Sequence, residues 1–297
     1  MTAAATVNLD TLPWIDRQWA TLFSDDTNHL IVLTLISFIV HEVVYYGRHL
    51  PYLIADYIPS WQKYKLQEDK HLTRDEYWKC LKGVLSAHYL VELPLMTLFH
   101  PTAQLFGMRV AEVPLPSWSR IAMESCLFLV IEDTYHYWAH RALHKGNLYK
   151  LIHKQHHEFA APVGICAEYA HPLEVIILSM GTLLGPLIYT WATGDFHVFS
   201  MLVWSVIRTC QAVEAHSGYD FPWSINKFIP FWSGADHHDF HHQNFIGNYS
   251  TSFRWWDLIM GTEGSYRLVR AKQALAKAER EHSGMKKADS KMKVKEE

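Results

Sequence analysis

The sequence predicts an all-α integral membrane protein: a helical bundle of about four to five membrane helices, with a cytosolic helical cap carrying a cluster of histidines. Three observations predict it. Five apolar runs alternate with polar stretches. The 297 residues are 49% hydrophobic and 14% aromatic with twelve Trp, a load that suits a bilayer, where Trp and Tyr gather at the interfaces. The histidines, twenty in all, concentrate at the polar ends of those runs, chiefly in His136–His157 and His237–His242.

The order of elements follows from composition. Residues 1–28 form an N-terminal segment whose Leu12, Trp14, Ile15, Trp19, Leu22 and Phe23 recur at roughly helical spacing, which predicts a short interfacial helix. Asp10, Asp16, Arg17, Asp25 and Asp26 leave it no apolar core, so no cleavable signal peptide is expected. The first apolar run is Leu30–Val40, extended to Tyr46; His41 and Glu42 interrupt it and must face protein or water. A basic stretch over 47–79 follows. The second run, Leu81–Phe99, holds Glu92 and Pro94, and the proline is expected to kink it. Ile121–Ile131 continues directly into Glu132 and the first histidines, placing these at a helix end. Residues 158–172, with Pro162, Gly164 and Pro172, read as a loop or broken helix. Leu173–Thr190 and Phe196–Val213, split by Thr193–Asp195, read as a helical hairpin. The main domain is thus 29–264, and 265–297 reads as a solvated, partly helical, polar charged tail.

The histidine spacing carries the chemistry. His140 and His144 stand one helical turn apart. His153, His156 and His157 stand at i, i+3, i+4, and His238, His241 and His242 repeat that pattern, each set read as one helix face. Neutral imidazole suits Fe, Zn, Cu and Ni. Eight histidines exceed what one ion needs, since a zinc site takes four ligands, so the count points to two metals, or to one metal with histidine to spare. His136 reads equally as a ligand or as a neighbour that orients ligands. His237 points off its face and is left out. Glu132, Asp133, Glu168 and Asp239 are candidate acceptors for imidazole N–H groups. His29, His41, His49, His71, His88, His100, His197 and His282 belong to no group and read as ordinary residues.

Other features exclude function classes. The net charge of −3, with no basic stripe, gives no nucleic-acid partner. Cys80, Cys126, Cys166 and Cys210 are scattered without a CxxC, so neither a disulfide framework nor a zinc ribbon is expected; they read as buried thiols. With no glycine-rich nucleotide motif, reducing equivalents must come from a partner. The three histidine segments must meet on one side, which the 173–213 hairpin allows. The Lys/Arg-rich 47–79 loop makes that side cytosolic, with the N-terminus lumenal if all five runs span.

His140–His144 (HRALH), His153–His157 (HKQHH) and His238–His242 (HDFHH) resemble the three histidine boxes of the membrane fatty acid hydroxylase superfamily, whose members are non-haem di-iron oxygenases. The strings HKQHHEFAAP, AEYAHPLE, EAHSGYDFPW and HHDFHHQNFIGNYSTSFRWWD resemble its C4-methylsterol monooxygenase branch, over about residues 30–266. The resemblance implies stepwise oxidation of a sterol 4-methyl group through alcohol and aldehyde to carboxylate. It implies two Fe ions as cofactor, O2 as cosubstrate, and electrons from NAD(P)H through cytochrome b5 and its reductase. A sterol C4-decarboxylase/dehydrogenase complex then handles the product. To the eight spaced histidines it adds His216 as a ninth ligand and His171 as a tenth. The substrate is apolar, so its channel is sought among apolar residues, with Trp138, Trp204 and Phe159 as candidates. Lys293 and Lys295 resemble a cytosolic dilysine retrieval signal, which implies an endoplasmic reticulum membrane protein with its active site and C-terminus in the cytosol. Relatives with the same boxes act on fatty acids or sphingolipids. A histidine-rich metal transporter or sensor is the reading from another class, and it expects histidines along a path through the bilayer.

Overall fold

The fold is that of a computed structural model describing residues 9–293. Asn28 opens the longest membrane-type helix by accepting the Ile31 N–H, which satisfies one of the orphan donors of the first turn. That helix, α2 (His29–Ala55), follows a short α1 (Trp14–Leu22). Thr73 and Glu76 form a reciprocal capping box at the start of α3 (Arg74–Ala87). A wide π-helical turn, His88–Glu92, then leads into α4 (Leu93–Leu105). Pro94, where a kink was expected, sits in the first turn of α4 just after that π-helical turn, a position at which a proline is tolerated.

Ser117 caps α5 (Trp118–Leu143), which carries the first box. A three-residue turn, α6 (Gly146–Leu148), runs into a second π-helical turn, Tyr149–His153. The 158–172 stretch holds a 3-10 turn, Gly164–Glu168. Helices α7 (Pro172–Thr193) and α8 (Val198–Ala215) follow, joined at Gly194, whose φ of 64° needs a residue without a Cβ penalty. Then come α9 (Gly234–Asn244) with the last box, α10 (Trp255–Ile259), and α11 (Gly264–Lys293). Among the described residues no extended strand forms, only isolated bridges.

Helix α7 packs on α5, and α8 packs on α2, which also packs on α4. The expected hairpin is therefore a hairpin in connection but splayed in space, because a cavity stands between its arms. Close approach of α7 to α5 depends on two glycines. A Cβ on Gly181 would lie 2.8 Å from the Tyr135 ring, and one on Gly185 2.8 Å from the Phe128 ring. Gly185→Val is accordingly expected to destabilise the protein by about 1–3 kcal/mol through overpacking, read as a lowered Tm in detergent; Gly47→Ala, where a Cβ meets nothing within 4 Å, serves as the neutral control.

Two helices, α2 and α7, are long and apolar enough to cross a membrane. On α2, Ile31, Leu35, Ile39 and Val43 form an exposed stripe four residues apart, an apolar strip that suits lipid. Of the apolar residues in and just after α1, Trp19 and Phe23 are buried in a protein core with Phe128, Phe196 and Trp204, the Trp19 indole donating to Val110 O, while Trp14, Ile15 and Leu22 are exposed. The tail begins as part of the fold, with the Tyr266 hydroxyl and the Arg270 guanidinium both donating to Asp236 of α9. Lys295 of the dilysine pattern lies outside the described residues. Of the cysteines, Cys80 and Cys166 are buried thiols with their sulfurs 3.7 Å apart, Cys210 is half-buried, and Cys126 is exposed on α5.

Candidate metal centre

Nine histidines converge in two groups. His140, His144, His153, His157 and His241 form one, and His156, His216, His238 and His242 the other. In the first, Nε2–Nε2 separations run from 2.9 Å (His153–His144) to 3.3 Å (His157–His144), with His140–His153, His157–His153 and His241–His157 at 3.0–3.1 Å. In the second, His216 Nε2 lies 3.1 Å from His156 Nε2 and 2.9 Å from His238 Nε2.

Each HxxHH segment deals its histidines to both groups, while α5 sends His140 and His144 to the first alone. On α9, His238 and His242, one turn apart, face the second group, while His241 turns into the first. The 153–157 box does the reverse, sending His153 and His157 to the first and His156 to the second. Each HxxHH segment was expected to present one face. Instead the i+3 position is rotated far enough from the i, i+4 pair to serve the neighbouring group. The Tyr149–His153 π-helical turn and a 3-10 turn at His156–Glu158 set the second box, His153–His157, the kind of local irregularity common at functional sites.

The protonation pattern identifies what the groups hold. The Nδ1 atoms donate outward: His140 to Tyr249 O (2.8 Å), His153 to the Glu174 carboxylate (2.8 Å), His216 to Ala212 O (2.8 Å), His241 to Gly247 O (2.6 Å), His242 to Phe159 O (3.2 Å) and His156 to Tyr169 O (3.3 Å). A neutral imidazole has one proton, so in these six rings the inward Nε2 carries a lone pair. Lone pairs facing one another at about 3 Å repel unless a cation lies between them. Ligands about 2.0–2.1 Å from a metal stand roughly 3 Å apart, so the residues fit two metal ions, five imidazoles around one and four around the other. Orienting the ring through its far nitrogen is the usual support for a metal-binding histidine.

Burial keeps these nitrogens available. It holds His144 and His216 down to about 4, and burial together with the neighbouring His216 holds His156 down to about 3. His153, His157, His238, His241 and His242 are likewise pushed far down by burial and by adjacent imidazoles. In unfolded chain they titrate near about 6.5. As pH falls from about 6.5 to about 4 the unfolded chain takes up protons that the folded rings refuse, so stability falls with pH across that window. Metal-stripped protein is expected to show a decreasing Tm between about pH 7 and about pH 5; a flat profile would contradict the burial argument.

Several expectations change. His171 does not reach either group: its Nδ1 accepts the Leu173 N–H and caps α7, so the tenth ligand drops out on geometry. His136 is also outside, with Nδ1 3.4 Å from Glu132. The carboxylate that supports a ligand is Glu174, which sequence reasoning missed although it stands in the first turn of α7, three residues past His171. Asp133 instead accepts the Ser252 and Phe253 N–H groups, and Asp239 accepts from Gln67 and Gln243. His41 and His88, read as ordinary, join Glu92 and Glu168 in a third cluster. His237 lies apart as expected, near Asp257 and Glu263.

A cavity of about 500 Å³ opens beside the groups, bounded by α2, α4, α5, α7 and α8. Apolar residues such as Val40, Leu95, Phe99 and Leu178 line it, and its wall also takes in His140 and His156. None of the three aromatic channel candidates lines it. Trp204 is fully buried and donates to Thr182 O, Phe159 packs on Tyr169, and Trp138 is exposed on the outer face of α5.

Residues 125–262, which contain all nine histidines, match the family model described as fatty acid hydroxylase. Among characterised proteins, the methylsterol monooxygenase erg25B of Aspergillus fumigatus is 49% identical over 84% of each chain. The C-4 methylsterol oxidase erg25 of Schizosaccharomyces pombe is 44% identical over 91% of this chain and 90% of its own. Methylsterol monooxygenase 1 of Rattus norvegicus is 43% identical over 84% of this chain and 83% of its own. No solved structure matches the chain. The family match and this identity over nearly the whole length of both partners lead to one conclusion: the chain belongs to the fatty acid hydroxylase family, alongside its methylsterol monooxygenases.

Proposed function

We propose that this protein is a membrane di-iron monooxygenase that oxidises the 4-methyl group of 4,4-dimethyl and 4-methyl sterols stepwise to alcohol, aldehyde and carboxylate. The carrying observation is the apolar cavity whose wall includes histidines of both groups. An apolar substrate lying there presents one carbon to the metal centre while the rest of its skeleton is held by aliphatic and aromatic side chains. His140, His144, His153, His157 and His241 would hold one iron, and His156, His216, His238 and His242 the other. Bound there, the iron pair supplies the redox chemistry that reduces O2 and oxidises an unactivated methyl C–H bond. The chain's own share is to orient the ligands through Glu174 and the backbone carbonyls, and to keep the imidazoles neutral. It also encloses the reacting carbon away from bulk water.

In the first step the substrate methyl, O2, two electrons and two protons give a hydroxymethyl group and water. The electrons come from NAD(P)H through cytochrome b5 and its reductase, and a sterol C4-decarboxylase/dehydrogenase complex takes the carboxylate onward. We place the protein in the endoplasmic reticulum membrane with α2, α7 and their neighbours spanning it in four to five passes. The convergence of all three boxes in two adjoining groups supports a fixed site in a cytosolic cap rather than a transport path.

Metal content of detergent-purified protein, paired with turnover of 4,4-dimethyl sterol by cytochrome b5, its reductase, NADH and O2, tests the reading. Two irons per chain and O2-dependent hydroxymethyl or carboxyl product are expected. Iron without sterol turnover would move the substrate to a fatty acid or sphingolipid. Neither iron nor turnover after reconstitution would leave a metal-binding protein of another kind.

A further inference from the structure

We infer that the chain has a third metal site, separate from the two histidine groups, formed by His41, His88, Glu92 and Glu168 and suited to a divalent first-row cation. Their four ligand atoms lie within 4.8 Å of one another, and the residues are contributed by three separate segments: α2, the π-helical turn between α3 and α4, and the 3-10 turn at Gly164–Glu168. His88 Nε2 stands 2.7 Å from Glu168 Oε2, while His41 Nε2 stands 3.1 Å from Glu92 Oε2 and 3.3 Å from Glu168 Oε2.

Two observations favour a cation over a plain hydrogen-bond network. The first is that His41 Nε2 is buried and makes no hydrogen bond despite its nearness to two carboxylate oxygens. An ion held between this nitrogen and the two carboxylate oxygens would satisfy all three. The second is the support of His88. Its Nδ1 lies 2.6 Å from Glu42 Oε1, so the ring donates outward to a carboxylate and turns Nε2 inward. His153 shows the same scheme with Glu174 in the first histidine group, and it is the arrangement that metal-binding histidines commonly use. Charge points the same way. Three carboxylates, Glu42, Glu92 and Glu168, meet only two imidazoles in a largely buried place. Buried charge must be compensated; even with both rings protonated the three carboxylates leave one negative charge, which a divalent cation at the cluster would cover.

Two nitrogens and two oxygens make a harder ligand set than the all-imidazole groups and admit zinc or manganese as well as iron. His41, Glu92 and Glu168 also line the cavity. The ion would pin α2, the α3–α4 junction and the 164–168 turn together as one wall of the substrate space.

The test uses full-length protein in detergent, stripped with chelator, filled with Fe2+, then exposed to Zn2+ and desalted, with each metal counted per chain. Wild type is expected to hold three metal ions per chain, two irons and one zinc, since Zn2+ outcompetes Fe2+ at the mixed nitrogen and oxygen site. Glu92→Gln/Glu168→Gln and, separately, His88→Gln are expected to keep both irons and lose the zinc. Should the variants fail to fold, zinc-edge X-ray absorption on the wild type still decides: two imidazoles in the zinc shell support the site, and four or five assign the zinc to a histidine group and overturn it. Two metals in the wild type, or three in every variant, also overturn it. The iron count stands separately: zinc at two imidazoles with no iron defeats the di-iron reading and leaves this site, and two irons with no third ion does the reverse.

Discussion

Replacing His216 with Ala is expected to remove one metal ion per chain and to lower sterol turnover more than about 100-fold. The magnitude has a floor: changing a residue that merely orients a ligand typically costs 10–100-fold, and His216 is placed as a ligand itself. The four-histidine group has no ligand to spare, since without His216 three nitrogens remain: His156, His238 and His242. The five-histidine group differs, because His157→Ala would still leave four. Metal analysis should therefore separate the two variants even though both lose activity, with His216→Ala near one ion per chain and His157→Ala nearer two. The double variant should be scarcely slower than either single one, because groups that act as a unit do not add. The fold should survive in His216→Ala, as this residue caps the end of α8 and its Nδ1 bonds only Ala212 O within the same helix. A folded His216→Ala protein with both ions and near-normal turnover would end the two-group assignment.

What the sequence made legible was local. HRALH and the two HxxHH segments follow from helical periodicity, so eight of the nine converging histidines could be named from spacing alone. The ninth, His216, has no box around it and came only with the family resemblance. Long-range geometry was not legible. Spacing could not tell that each HxxHH box divides between two groups, since that depends on how α9 and the 153–157 turns face each other. The resemblance placed His171 among the ligands as well, because a histidine before a helical proline reads alike whether it binds a metal or caps the helix. His41 and His88 looked solitary because their partners lie on other segments, Glu168 standing 80 residues from His88. The splayed hairpin was equally hidden: α7 and α8 are apolar enough to pack on each other, and only the cavity between them shows why they do not.

The same gap between local and distant information explains the second large effect. Glu132 looked like a support for a histidine, yet its main partner is Arg208, 76 residues away, whose Nη2 donates to Glu132 Oε1 at 2.6 Å. Arg208 also donates from Nη1 to Ser252 Oγ, tying α5 and α8 to the segment before α10. Both charges lie in the cavity wall, with the Glu132 side chain 1% and the Arg208 side chain 11% exposed. Taking two charges out of water is costly, and their attraction offsets that cost only while both are present. Glu132→Ala leaves the guanidinium unpaired beside an apolar cavity and is expected to cost about 3–5 kcal/mol, roughly 10 °C in Tm for a chain of this size. Glu132→Leu/Arg208→Met removes both charges at similar volume and is expected to recover most of that loss, because an apolar pair of the same shape is often no worse than a buried ion pair. Thermal unfolding in detergent of the wild type, Glu132→Leu, Arg208→Met and the double closes the cycle, with Glu132→Ala measured beside it. A double variant as unstable as Glu132→Ala would mean that the residues act through separate contacts, and a single variant as stable as the wild type would mean that water or lipid headgroups already reach Arg208.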